Sequence, residues 1–379
     1  MPISLGLTLR AGVRISAVAA LVSAAFPALA SPQAADSGLA AKLDSYVQGW
    51  TDSGLFSGVV LVAHDGSVVF EKAYGAADEV TSRPATVATR YNLASAGKMF
   101  TTVAILQQIA RGRITFDTRL GDVLTDYPNR AMAQATVRQL LTHTSGAGDI
   151  DLFGVEAAAT RARVHSVSDM VAMHAKRAPD FAPGSDQAYG NFAYVLLGRM
   201  VEVLSGEDYE TYVDRHIFRP AGMIHSGFVD CTTDGADIAV GYATVDGKRV
   251  RNCATQPARG LPAGGQLATA RDMFLFTRAL QTGKLIPVAL LKTATKPFRK
   301  FMGLGFFATD YGGSFAPEDL RWGHGGSSDG ECTDVRSYPA TGETVIVLSN
   351  QDPPACFAIA KFPHAQRRSR NVALANRAE

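Results

Sequence analysis

The chain has 379 residues, of which 46% are apolar and 19% charged, a balance that supports a buried core and excludes wholesale disorder. Lys and Arg number 37 against 35 Asp and Glu, a formal charge of +2, so nothing points to a basic nucleic-acid-binding domain. The length suits two lobes or one large mixed domain, and the absence of a period of roughly 20–50 residues argues against a solenoid or propeller.

Residues 1–30 read as a secretory signal peptide. Arg10 and Arg14 form the basic end, 15–30 is an Ala-rich apolar run, and Ala28-Leu29-Ala30 is a small-x-small cleavage site. The run is short for a membrane span of about 20 residues. The expectation is a periplasmic or secreted protein with no stable membrane insertion once the signal is removed. Helical spacing follows over 38–50. Residues 59–62 and 68–70 are β-rich and flank the turn signal His64-Asp65-Gly66, which predicts a hairpin. Residues 96–111 predict a strongly apolar helix that stops at Gly112. Helices are also expected over 134–142, 167–176, 192–205 and 208–217, and a second hairpin over 238–251 turning at Asp246-Gly247. Residues 304–309, 320–324, 332–337 and 344–348 read as strands, with a short helix after Pro353-Pro354.

Strands at both ends and helices between them argue for an α+β fold, an antiparallel sheet built from both termini with a helical lobe inserted. The sheet lobe would take about 38–90 and 256–362, and the helical lobe about 91–255, of a domain spanning 31–365. Arg367, Arg368 and Arg370 would then sit in a frayed, basic, solvated tail over 366–379. The four cysteines, Cys231, Cys253, Cys332 and Cys356, show no C-x-x-C spacing, so a zinc or redox motif is not indicated. An oxidising compartment favours disulfides, and proximity in sequence favours the pairs Cys231–Cys253 and Cys332–Cys356.

The chemistry-bearing motifs begin with an exclusion. H-E-x-x-H, the P-loop and G-x-G-x-x-G after a strand are all missing, and no metal or cofactor is expected. Ser95-Ala96-Gly97-Lys98 is a Ser-x-x-Lys at the start of the apolar helix. Positions i and i+3 share a helix face, so the amine can reach the hydroxyl. A serine needs a base to become a nucleophile, and an amine among Met99, Phe100 and Val103 should lose proton affinity by desolvation. Tyr189-Gly190-Asn191 precedes another apolar helix; the phenol could relay a proton, and the amide could hold a substrate amide or ester. Tyr127-Pro128-Asn129 carries the same triplet, so this signal is weak alone. His324-Gly325-Gly326-Ser327 ends a candidate strand where paired glycines allow close backbone approach. His324 could bind a carboxylate or orient the substrate.

In this order, the three motifs resemble the serine β-lactamase and penicillin-binding-protein superfamily, in its class C-like branch. Leu140-Leu141-Thr142-His143-Thr144-Ser145-Gly146, Arg219-Pro220-Ala221-Gly222-Met223 and Pro262-Ala263-Gly264-Gly265 look like the same family. The resemblance runs from about 38 to 362. It implies the β-lactamase/DD-peptidase-like fold, with the active site in the groove between sheet and helical lobe. It makes Ser95 the acylated nucleophile, Lys98 and Tyr189 the proton-transfer system, and Asn191 a substrate contact. His324 and Gly326 would line the substrate-pairing strand, and the N–H groups of Ser95 and Ser327 would form the oxyanion hole. His324 stands where class C β-lactamases carry Lys, which favours esterase or peptidase action over β-lactam hydrolysis. The expectation is an exported serine hydrolase taking a small ester or a D-amino-acid peptide through an acyl-enzyme. A β-lactamase is the alternative, and a slow covalent penicillin sensor or assembly protein the non-catalytic one. No oligomeric state is indicated. The stretch 326–330 also matches G-x-S-x-G, but that elbow needs a following helix and a downstream acid and His, and only His364 remains downstream. His143, His165, His174, His216 and His225 lack ligand spacing and read as structural.

Overall fold

The run Gly58–His64 (GVVLVAH) is apolar at nearly every position, although successive side chains of a strand point to opposite faces. It therefore has to be covered from both sides. The computed structural model describes Met1 and residues 32–310 and 313–375; the expected signal segment and its cleavage site, Met1 apart, lie outside the described residues. In chain order the elements used below are α1 (Pro32–Asp52), β1 (Gly58–His64), β2 (Ser67–Tyr74), α2 (Lys98–Ala110), α3 (Val137–Leu141), α4 (Val167–His174), α5 (Phe192–Ser205), α6 (Tyr209–Val213), β3 (Tyr242–Val245), β4 (Lys248–Arg251), α7 (Ala270–Gln281), α8 (Val288–Ala294), β5 (Trp322–Ser328), β6 (Glu331–Tyr338), β7 (Glu343–Ser349) and α9 (Ala355–Ala375).

The main sheet has five antiparallel strands in the order β2-β1-β7-β6-β5. Val60 opposes Val347 and Leu61 opposes Ile346, so the first and last strands of the chain pair at the centre. Val59, Leu61, Ile346 and Leu348 join the core of the helical side, together with Phe100, Val103 and Phe276. Val60, Val62, Val345 and Val347 face α1 and α9, against Leu43, Val47 and Ile359. This is the α+β architecture that the order of elements implies.

Several segments depart from expectation. Residues 304–309 form no regular strand: Gly305 takes φ +82°, the Leu304 N–H is spent on the Ala294 carbonyl, and Phe307 alone bridges to Gly323. The helix expected over 134–142 shortens to α3, because Thr136 and Gln139 form a reciprocal cap at its start. The segment 208–217 splits into α6 and a wider turn over Asp214–Phe218. The sequence reading missed α7 and α8. The β3–β4 hairpin turns at Asp246 and Gly247, both at positive φ, the geometry a two-residue hairpin loop prefers.

The C-terminus differs most. The short helix becomes the 21-residue α9, and no fray begins at 366. Arg367 bonds the buried Glu343, Arg368 pairs with Asp319, and His364 stacks on Tyr338 at 3.8 Å. The cations of the tail thus find acids at the start of the central strand β7 and just before β5. Cys332–Cys356 ties β6 to α9, and Cys231–Cys253 closes a loop of the helical side.

Phe100 is fully buried between Phe218 and Phe276, with edge-to-face ring separations of 4.9 and 5.0 Å. Phe100→Ala is expected to cost about 3–5 kcal/mol in urea unfolding, the range for removing a buried aromatic ring.

Candidate active site

The groove is built from three separated segments. Asn92 Oδ1 accepts from the Ala94 N–H, and the Gly265 N–H donates to the Ala94 carbonyl. These bonds hold Ala94 at φ +44°, a left-handed conformation that costs a non-glycine residue roughly 1–2 kcal/mol. The strained residue turns the chain into a single tight turn, Ala94–Gly97, from which α2 starts. Ser95 stands on that turn, partly exposed, and Lys98 opens α2 fully buried.

Lys98 Nζ donates to Ser95 Oγ at 3.1 Å, Asn191 Oδ1 at 2.6 Å and the Ala263 carbonyl at 2.7 Å. These partners come from the Ser-x-x-Lys turn, the start of α5 and the Pro262–Gly265 loop. Burial lowers the Lys98 pKa to about 7, against the opposing pull of the Asp149 carboxylate. The amine is thus uncharged in a large share of molecules at neutral pH. The Tyr189 ring lies under Lys98 Nζ, 5.0 Å from its centroid. The residue is 45% exposed. Burial raises the phenol pKa, the nearby Ser95 hydroxyl opposing, so Tyr189 keeps its proton at neutral pH.

The third wall is β5. A Cβ at Gly326 would lie 2.4 Å from the Leu93 carbonyl and 2.8 Å from the N–H groups of Ser95 and Ala96. Only glycine lets this strand press against the Ser95 turn. Ser327 follows on the exposed side, and a cavity is lined by Ser95, Asn191, Ser327, Gly264, Gly265 and Phe153. Ser95, Lys98, Tyr189, Asn191, Gly326 and Ser327 thus converge on one groove.

His324 is placed differently from its expected carboxylate-binding part. Its side chain is fully buried, stacked on Phe307 at 4.0 Å, with Nδ1 against the Gly325 carbonyl. Burial, reinforced by the Lys98 charge, keeps its pKa well below the usual range. An uncharged, enclosed imidazole offers no counter-ion to a carboxylate. His143, read as structural, packs on Tyr189 at 4.3 Å and accepts from the Gly190 N–H. Burial, then the Lys98 charge, drop its pKa to about 3.

Two carboxyl residues escaped the sequence reading. Asp149 accepts from the Asn191 amide at 2.8 Å and from the Asn191 backbone N–H at 3.2 Å. Glu331 sits where β5 turns into β6, bonded to Ser328 Oγ and Asn252 Nδ2 at 2.9 Å each. Neither has a motif spacing; both are found only through the chain's folding. Among the described residues, no cluster of His, Cys, Asp and Glu is placed to hold a metal ion, and no helix is long and apolar enough to cross a membrane.

A family model described as Beta-lactamase matches residues 41–367. The chain belongs to that family. It is therefore a serine hydrolase of the β-lactamase and penicillin-binding-protein group. A putative penicillin-binding protein PbpX from Bacillus subtilis is 29% identical over 77% of this chain and 70% of its own length. The esterase EstB of Burkholderia gladioli is 31% identical, over 50% of this chain and 52% of its own. The crystal structure of a penicillin-binding protein from Bacillus halodurans superposes with a TM-score of 0.72 at 26% identity, over 86% of this chain and 99% of that one.

Gly326→Ala should push the Ser95 turn aside. Labelling of Ser95 by a fluorophosphonate is expected to slow by up to about a hundredfold, as for a misplacement of about 1 Å. Burial raises the Glu331 pKa from 4.5 to about 8, its hydrogen bonds to Ser328 and Asn252 opposing. Between those values the unfolded carboxyl loses its proton while the folded one keeps it, so folding stability should fall as pH rises across that window. Glu331→Gln, which cannot ionise, should flatten that part of the stability–pH curve in urea titrations.

Proposed function

We propose that the protein hydrolyses a small ester or a D-amino-acid amide or peptide through a Ser95 acyl-enzyme, with Lys98 as the base of acylation. The observation that carries this reading is the Lys98 contact set. An uncharged amine has two hydrogens and one lone pair. Asn191 Oδ1 and the Ala263 carbonyl are acceptors only, at 2.6 and 2.7 Å, and take the two hydrogens. The lone pair is left for the Ser95 hydroxyl, so the 3.1 Å contact in which the ammonium donates reverses when the amine is uncharged.

Ser95 Oγ attacks the carbonyl carbon as its proton passes to Lys98. The N–H groups of Ser95 and Ser327 are suited to receive the resulting oxyanion, a reading supported by the close approach of β5 to the Ser95 turn at Gly326. Tyr189, kept protonated by burial and beside Lys98, is suited to give a proton to the leaving oxygen or nitrogen as its bond to the acyl carbon breaks. The proton that Lys98 took then replaces the one Tyr189 gave, so both groups return to their starting state. Water gives a proton to Lys98 as it attacks the acyl carbon, and that proton passes to Ser95 Oγ as the acyl–serine bond breaks and the carboxylic acid leaves. The relatives named as an esterase and as penicillin-binding proteins are compatible with this chemistry. The uncharged His324 favours a substrate without a carboxylate at that strand, and so an ester or amide over a β-lactam or a peptide with a free C-terminus. Two disulfides support export to an oxidising compartment, in keeping with the expected signal over 1–30.

The test is the initial rate on p-nitrophenyl butyrate beside a chromogenic cephalosporin. Ester turnover should dominate, and Ser95→Ala and Lys98→Ala should each abolish it while leaving the fold intact, because residues acting as a unit are not additive. Dominant cephalosporin turnover would assign a β-lactamase instead. A covalent adduct that never turns over would assign a sensor. The kcat/KM of the ester reaction should rise with pH through about 7, as Lys98 loses its proton.

A further inference from the structure

We infer that Asp149 is a positioning residue for Lys98: it fixes the Asn191 amide in the one orientation that leaves the Lys98 lone pair facing Ser95. This deepens the reading of Lys98 as the base and rests on it.

A side-chain amide has two nearly isosteric ends, one accepting and one donating. Lys98 needs the accepting end. If Asn191 turned over, its NH2 would face Nζ. The amine would then have one acceptor instead of two, and its second hydrogen would compete for Ser95 Oγ. Nothing in Asn191 itself forbids the turn. Asp149 does, because a carboxylate only accepts: its Oδ1 receives the Asn191 Nδ2–H at 2.8 Å and so commits Oδ1 of the amide to Lys98 at 2.6 Å. The same Asp149 oxygen takes the N–H of Asn191 at 3.2 Å and of Ile150 at 2.8 Å, which fixes the carboxylate on both loops.

Those loops are braced. Arg177 donates to the carbonyls of Ala147 and Asp149 at 2.7 and 2.6 Å. A Cβ at Gly190 would lie 2.3 Å from the Gly148 carbonyl, so the two backbones touch. The surroundings of Lys98 also leave Asp149 a distinct electrostatic part. The titratable groups packed around the amine are Tyr189, Tyr194, His143 and His324. Burial keeps both phenols protonated and both imidazoles uncharged. The Asp149 charge is what favours the ammonium against burial.

Two variants separate orientation from charge. Asp149→Ala removes the acceptor and the charge; Asp149→Asn removes the charge but keeps an oxygen that can accept. Asp149→Ala is expected to lower kcat on p-nitrophenyl butyrate by roughly tenfold to a hundredfold, the range for outer partners that orient a working side chain. Asp149→Asn should retain most of kcat. In both, the acid limb of the pH profile should move to lower pH, because an anion near the ammonium has been lost. The same shift is read without turnover from the Lys98 13Cε resonance, assigned by its loss in Lys98→Met, with thermal unfolding checking that each variant is folded. Unchanged kcat and Lys98 titration in Asp149→Ala would overturn the assignment. So would equal losses in both variants with the Lys98 midpoint unmoved, which is the signature of a bracing role alone. Should the native protein show no Ser95-dependent turnover, the base reading fails separately, and the Lys98 titration alone decides whether Asp149 acts on the amine.

Discussion

Burying the Lys98 amine is the constraint around which the protein is arranged. An amine shut off from water must find a partner for every hydrogen, or the cost of its desolvation goes unanswered. Its partners come from residues 95, 191 and 263, so three distant stretches of chain have to meet at one nitrogen. The left-handed Ala94, the glycine pair 264–265 and the absent side chain at 326 each allow one of those stretches to come close enough. Strain and packing are spent at the same place where proton affinity is adjusted.

The sheet is the frame that makes this convergence affordable. Its central pair joins β1 to β7 with both faces covered, so this pair is shut off from water on either side. β5 is at the edge, and its open side is the side the groove needs. The helical side contributes Asn191 and Tyr189 from the start of α5, whose own apolar face is buried over most of its length.

Much of this was legible in the sequence. The strands announce themselves by the apolar stretches 59–63 and 345–348 within them, α5 as an apolar helical stretch, and the site as three short motifs in order. What escaped had physical reasons. Residues 304–309 look like a strand, but glycine at 305 and a helix end competing for the Leu304 amide break the ladder. The α7 helix starts at a cap, Thr269 accepting from the Asp272 N–H, a local signature too short to mark a helix by itself. The tail looked solvated because Arg367 and Arg368 find their acids at 343 and 319, a pairing with no local spacing. His324 looked like a counter-ion because sequence says nothing about how deeply a strand residue is enclosed. Asp149 carries no motif, and only the meeting of two loops gives it a partner.

The pairing of the first and last strands also governs when the site can exist. Gly58 lies opposite Ser349, and the strand that backs Ser95 begins at Trp322. A chain emerging from its amino end therefore carries Ser95 and Lys98 long before it carries the wall against which they work. Contacts of such high sequence separation form late and slowly. Until they form, the amine remains hydrated and charged, and the serine is an ordinary hydroxyl. The topology thus acts as a timer: the groove is assembled only after the strands from both ends of the chain have met.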